Sequence, residues 1–161
     1  MIFITLGSQK FQFDRLLKAV DDLVERGVIT EEVFAQSGYS TYVPKHYPIK
    51  PFLDREEFAQ WQEKADIVIT HGGTGAIIGA VKKGKKVIAV PRLAKYGEHV
   101  DDHQLQLIEQ FKEQNLICGV RDCKELEAAI EYIQKETFQA YTSNTERIIS
   151  SIDSFINTIW R

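Results

Sequence analysis

Cysteine is scarce in this chain: Cys118 and Cys123 are the two in 161 residues, and they are not in CxxC spacing. That removes a disulfide scaffold or a cysteine-based zinc site, and two free thiols in a reducing compartment is the plain reading. Long hydrophobic runs are missing as well. The apolar stretches are short, such as Ile67-Val68-Ile69 and Val87-Ile88-Ala89-Val90, whereas a spanning helix needs ~20 apolar residues. The first residues lack the basic region and long apolar core of a signal peptide, so a cytoplasmic chain is expected. There is no excess of positive charge either. A net charge of −3 supplies no basic field for nucleic acid, and no nucleic-acid-reading motif occurs. No Ser-His-carboxylate order, HExxH or spaced cysteine quartet is present, so nucleophilic hydrolysis and zinc chemistry have no motif behind them.

What remains is ordinary for a globular protein: 43% hydrophobic and 27% charged residues, and a length that suits one domain spanning 1–161. Met1 to Leu6 is a short apolar run stopped by Gly7-Ser8. Apolar residues at 13, 16, 17, 20, 23 and 24 then mark one face of a helix that Gly27 ends. Val33 to Gln36 predicts a second strand. Prolines at 44, 48 and 51 break the next segment, leaving at most a short extended piece from Tyr47 to Phe52. Asp54 and Glu57 have capping-box spacing for a helix holding Phe58 and Trp61. Ile67 to Ile69 predicts a strand buried on both faces. Helix is expected over Ala76–Lys83, strand over Val87–Val90, and helix again over His103–Phe111. Beyond it lie a short strand at Leu116–Cys118 and a helix capped by Asp122. A last helix from about Tyr141 spaces Ile148, Ile152, Phe155 and Ile159 at three- and four-residue steps, ending near Trp160. Strands alternating with helices imply an α/β fold with a doubly wound parallel sheet.

Three stretches carry the chemistry. The first is Thr70-His71-Gly72-Gly73-Thr74-Gly75, between a strand and a helix. Three glycines within four positions let backbone N–H groups approach an anion, and the helix dipole points its positive end there. The alternative is a tight strand-to-helix turn with no ligand. No Lys-Ser/Thr follows the last glycine and no GxGxxG pattern is present, which excludes the Walker loop and the dinucleotide fingerprint. The second stretch is Leu6-Gly7-Ser8-Gln9, on the same carboxyl edge of the sheet. It either faces the same pocket or is a turn in which Ser8 caps the next helix. The third runs from Pro91-Arg92 through Glu98, His99, Asp101, Asp102, His103 and Gln104. Its groups suit hydrogen bonds to sugar and ribose hydroxyls, a metal site at His99, Asp101 and His103, or a solvated loop with Asp102 as helix cap. Lys82, Lys83, Lys85 and Lys86 read as a solvated helix end, or as a patch for an anionic membrane or lipid diphosphate.

Together these stretches resemble the C-terminal domain of family 28 glycosyltransferases, from Ile2 to about Phe111. The likeness is most specific in Thr70–Gly75, Gly84–Pro91 and Gly97–Gln104, and Gly7-Ser8-Gln9 and Phe13-Asp14-Arg15-Leu16 match the first loop and helix. It resembles free-standing members most: the bacterial capsule or exopolysaccharide β-1,4-galactosyltransferase subunits, and the catalytic subunit of the eukaryotic lipid-linked chitobiose N-acetylglucosaminyltransferase. The resemblance implies a Rossmann-like sheet equivalent to the C-terminal, donor half of a GT-B glycosyltransferase. It places Gly7, Ser8, Gln9, Gly72, Gly73, Thr74 and Gly75 at the donor diphosphate. His71, Arg92, Glu98, His103 and Gln104 complete the donor-binding set, with His103 and Gln104 near the sugar and Glu98 beside them. It also implies inverting transfer from a UDP-sugar, UDP-galactose first and UDP-N-acetylglucosamine as the alternative, to a membrane lipid-linked saccharide. No obligatory metal or other cofactor is expected, and no general base is assigned. A membrane-anchored acceptor-binding subunit is the expected partner, recruiting the chain to the inner membrane face, and the last helix either caps its own core or docks that partner. Many relatives carry a ribose-gripping glutamate where this chain has Gly79. A competing class is a non-catalytic module that senses a nucleotide sugar.

Overall fold

The computed structural model describes residues 1–142, 154 and 156–159. Six strands form one sheet: β1 (Ile2–Thr5), β2 (Val33–Gln36), β3 (Ile49–Lys50), β4 (Ile67–His71), β5 (Lys86–Val90) and β6 (Cys118–Gly119). Their order is β3-β2-β1-β4-β5-β6, and each neighbouring pair is parallel. Helices α1 (Asp14–Glu25) and α5 (Leu126–Lys135) pack on one face through Leu16, Leu17, Val20, Ile130 and Ile133. Helices α2 (Arg55–Lys64), α3 (Thr74–Lys82) and α4 (His103–Glu113) cover the other through Phe58, Ile77, Ala80 and Ile108. Layers on both faces explain why β1, β4 and most of β5 are uninterrupted buried runs rather than alternating ones.

The order reverses between β1 and β4. The chain steps outward from β1 to β3, then returns to add β4 on the opposite side of β1. Loops leaving the carboxyl ends of β1 and β4 therefore diverge, and the crevice between them is where an open α/β sheet binds its ligand.

Local chemistry sets the helix ends. The Asp54 carboxylate accepts from the Glu57 amide, and the Glu57 carboxylate accepts from the Asp54 amide, a complete capping box. Two lysines of the basic cluster reach the C-terminal ends of α2 and α5. Lys85 Nζ donates to the Glu63 carbonyl (2.8 Å) and Lys86 Nζ to the Ile133 carbonyl (3.0 Å), so cations sit on the last turns of α2 and α5. The proline-bearing segment after β2 is held by two carboxylates of α1. Asp14 accepts from the amides of Thr41 and Tyr42, and Asp21 accepts from the Tyr42 hydroxyl and the amides of Lys45 and His46.

Some boundaries differ from expectation. The extended piece at Tyr47–Phe52 narrows to the two-residue β3, because prolines 48 and 51 remove ladder donors on either side. Helix α3 starts at Thr74, inside the glycine run. The strand expected at Leu116–Cys118 is shifted to Cys118–Gly119, with Leu116 and Ile117 buried under the edge. Of the last expected helix, Ile148, Ile152, Phe155 and Trp160 lie outside the described residues. Described residues 154 and 156–159 are helical, with Ile156 and Ile159 exposed. No described helix is long and apolar enough to cross a membrane.

Candidate functional site

The glycines around β4 fall into two sets. Gly7, Gly72 and Gly73 make room for side chains. A Cβ on Gly7 would stand 2.8 Å from His71 Nε2, and one on Gly73 would collide with His71 Cε1. The imidazole is thus wedged between the turn after β1 and the turn after β4. A Cβ on Gly72 would meet Gln104 Cβ at 2.7 Å. Removing these methyl-sized groups is what brings α4 against the turn.

Gln104 then clips the turn in place. Its Oε1 accepts from the Gly72 amide (3.0 Å) and the Arg92 amide (3.0 Å), and its Nε2 lies 3.3 Å from His71 Nδ1. His71 must accept there for Gln104 to donate, which leaves the ring proton on Nε2. Burial, with the Arg92 guanidinium and the His99 ring nearby, pushes the His71 pKa down to about 4. The ring is therefore neutral at pH 7.

Arg92 and Glu98 form a second lock. The Arg92 guanidinium donates to the carbonyls of Leu6, Phe11 and Gln12, tying the loop after β5 to the loop after β1. Burial lowers its pKa to about 10, so it stays charged at pH 7. Glu98 is fully buried, accepts two bonds from Arg15 (Nη2 to Oε1 2.9 Å, Nε to Oε2 3.2 Å), and also accepts from the Leu93 amide. Asp102 precedes α4 without capping it through its side chain; its carboxylate accepts from the Ala94 amide instead.

Beside this locked region lies an open cleft of about 370 Å³, lined by Thr5, Gly7, Ser8, Gln36, Phe52, Leu53, Phe58, Gln62, Gly75, Ala76 and Gly79. It sits at the switch point between β1 and β4. The first turn of α3 forms one wall, and its amides at 74, 75 and 76 precede the first intrahelical bond, from the Ile77 amide to the Gly73 carbonyl. Gly75 and Gly79 have nothing within 4 Å of a Cβ position, so this wall is bare. Gln36 shapes the opposite side. Its Nε2 donates to the carbonyls of Gly7 (3.1 Å) and Pro51 (2.8 Å), and its Oε1 accepts from the Thr5 hydroxyl.

The structure brings Gly7, Ser8 and Gly75 into one cleft, with Thr74 and Gln9 exposed beside it. His103 is exposed at the start of α4. Several of the expected residues have partners within the protein. The buried carboxylate of Glu98 is engaged by Arg15 and the Leu93 amide. Arg92, 1% exposed, points into the domain. Gln104 is buried with its oxygen doubly engaged, which leaves at most one amide hydrogen for a ligand. The Gly72 amide is bonded to Gln104, and Gly73 serves His71 packing, so the bare main chain lies at Gly75 and Ala76 instead. Among the described residues no three His, Cys, Asp or Glu side chains converge as a metal set. His99 Nδ1 instead lies 3.2 Å from Asp101 Oδ1.

Sequence reading missed Gln36, Gln62, Phe52, Leu53, Phe58, Ala76 and, as a cleft wall, Gly79. A glutamine ending the apolar run of β2 was the available signal for Gln36.

A crevice at the switch point of a β3-β2-β1-β4-β5-β6 sheet, floored by a helix N-terminus, defines a Rossmann-like ligand-binding domain. The chain matches the glycosyltransferase family 28 C-terminal domain over residues 1–159 and belongs to that family. It is 29% identical over 135 residues to the human UDP-N-acetylglucosamine transferase subunit ALG13, covering 76% of this chain and 11% of that protein. To the Kluyveromyces lactis subunit of the same name it is 28% identical over 92 residues, covering 54% of this chain and 45% of that one. The chain therefore spans less than half the length of these relatives. Among solved structures it is similar to the calicheamicin glycosyltransferase CalG4, with a TM-score of 0.60 at 16% identity over 84% of this chain and 34% of that one. It is also similar to Acinetobacter baumannii MurG, with a TM-score of 0.57 at 16% identity over 82% and 41%. The fold is that of the C-terminal half of GT-B glycosyltransferases, as the sequence motifs implied.

Proposed function

We propose that this chain is the donor-binding subunit of an inverting glycosyltransferase that takes its sugar from a UDP-sugar and acts with a separate acceptor-binding subunit. The observation that carries the reading is the cleft at the switch point, where the unbonded first-turn amides of α3 face Gly7 and Ser8 across a bare glycine wall. Such amides, reinforced by the helix dipole, stabilise a diphosphate, and more strongly as charge builds on it when the sugar leaves. In the reaction an acceptor hydroxyl attacks the anomeric carbon, the bond from that carbon to the diphosphate oxygen breaks, and the hydroxyl proton passes to a general base. That base belongs to the partner or to the exposed loop around His99 and His103.

The names of the relatives favour UDP-N-acetylglucosamine as donor over the UDP-galactose expected from the motif run. UDP-galactose remains the second reading on one observation. Gly79 leaves open space where many relatives grip the ribose with glutamate, so this cleft departs from them at the nucleoside. The acceptor is a lipid-linked saccharide at the inner membrane face, and the partner provides the anchor. Exposed Tyr39, Val43, Phe52, Tyr96 and Val100 all lie in loops leaving the carboxyl edge, which supports a second protein covering the cleft.

Calorimetric titration with UDP, UDP-N-acetylglucosamine and UDP-galactose tests the donor site. Heat is expected for all three, and its absence for every uridine nucleotide overturns the reading. Adding the partner and a lipid-linked monosaccharide should then give turnover with one donor. Binding without turnover under those conditions would identify a sensor instead.

A further inference from the structure

Three glutamines are buried: Gln36, Gln62 and Gln104, at 5%, 4% and 5% exposure. Two of them have both ends of the amide engaged, Gln36 with Thr5, Gly7 and Pro51, and Gln104 with Gly72, Arg92 and His71. Gln62 differs. It is the one deeply buried residue of α2, it lines the cleft, and among the described residues its side-chain amide has no hydrogen-bond partner. Among the described residues, the partnerless side-chain atoms sealed from solvent are Arg15 Nη1 and Arg92 Nε, so the Gln62 amide is still reachable from the cleft it lines.

An amide in that position is unfavourable unless something satisfies it, and an apolar side chain would serve packing better. The helix cannot turn to relieve it. Its start is set by the Asp54–Glu57 capping box, Trp61 stacks on Phe34 with centroids 3.9 Å apart, and Phe58 meets Phe3 edge-on at 5.3 Å. Gln62 is therefore presented to the cleft in a fixed place.

The lining of the cleft is of two chemical kinds. Main chain at Gly7, Ser8, Gly75 and Ala76 suits an anion, while Phe52, Leu53, Phe58 and the open Gly79 position are apolar, and Gln62 adds an unengaged amide to them. Apolar and aromatic walls accept the faces of a planar base. A single amide, with a donor and an acceptor side by side, matches a base edge that offers the complementary pair.

We propose that Gln62 reads the base of the donor nucleotide, its Oε1 accepting from the uracil N3–H while its Nε2 donates to the adjacent carbonyl. Gln62 is then a specificity-determining residue of the donor site, and the assignment rests on the reading of this cleft as a UDP-sugar site.

The test is calorimetry on the whole chain with UDP, 3-methyluridine diphosphate and inorganic pyrophosphate, comparing the unsubstituted protein with Gln62→Leu and Gln62→Glu. Gln62→Leu should weaken UDP roughly three- to tenfold and leave pyrophosphate unchanged. Methylation at N3 should weaken the ligand by a similar factor for the unsubstituted protein and have no effect on Gln62→Leu. Gln62→Glu, which keeps an acceptor but loses the donor, should also weaken UDP. The melting temperature of Gln62→Leu should be equal or higher, because an unpartnered buried amide is gone. Unchanged UDP affinity in Gln62→Leu, an equal methylation cost in both proteins, or a parallel loss of pyrophosphate would overturn the assignment while leaving the donor site standing. If the unsubstituted chain binds no uridine nucleotide, the site reading itself fails and Gln62 with it.

Discussion

Between His71 and Gly79 the chain uses four glycines for two opposite purposes. Gly72 and Gly73 are small because side chains press on them: Gln104 on one, the His71 ring on the other. Gly75 and Gly79, a few residues on, meet nothing within 4 Å and face the cleft. The first pair belongs to a block of His71, Arg92, Glu98 and Gln104, most of whose buried polar atoms bond to one another, to Arg15 and to loop backbone, Arg92 Nε excepted. The second pair belongs to a surface left bare. A glycine-rich motif is thus not a row of equivalent ligand contacts. Its first half orients the turn, and its second half is available to a ligand.

The division can be broken most severely at Glu98. Glu98→Ala strands the partly buried Arg15 guanidinium, which should cost about 3–5 kcal/mol in urea denaturation. A loss below about 1 kcal/mol would show that the lock is not structural. Gly73→Ala comes next, at about 1–3 kcal/mol, because the new methyl group has no room beside His71. Gly75→Ala sharpens the contrast: stability should hold within about 0.5 kcal/mol, while UDP affinity falls. A reversed pattern, with Gly75→Ala unfolding the protein and Gly73→Ala sparing it, would erase the distinction.

A pH dependence tests the locked block without any substitution. His71 in the folded protein titrates near 4, below its ordinary 6.5, so the unfolded chain takes up the proton first. Its contribution is complete above about pH 6.5 and declines as pH falls toward 4, reaching roughly 2 kcal/mol of lost stability by pH 5. Urea midpoints between pH 7 and pH 5 measure this, and a flat profile would place His71 outside the block.

Legibility followed the range of the interactions. The Asp54–Glu57 capping box, the buried β4 run and the α1 face were readable because their partners lie within a few residues. The roles of Arg92 and Glu98 were not, since Leu6 and Arg15 are 86 and 83 positions away. Both were expected at the donor from the polar stretch that carries them and from the family likeness, and neither source reveals a bond to a distant segment. Gln62 was hidden for the converse reason: on a helix of ten mostly polar residues, one more glutamine carries no pattern.

The order of elements and most of their ends were determined by the sequence itself, because hydrophobic period and helix caps act locally, whereas which glycines stay bare depended on Gln104 and the His71 ring. Which polar groups face the cleft and which are bonded inside was decided only by tertiary structure. Burial of a charge or an amide depends on partners that the fold brings from distant segments, and no local pattern encodes that meeting.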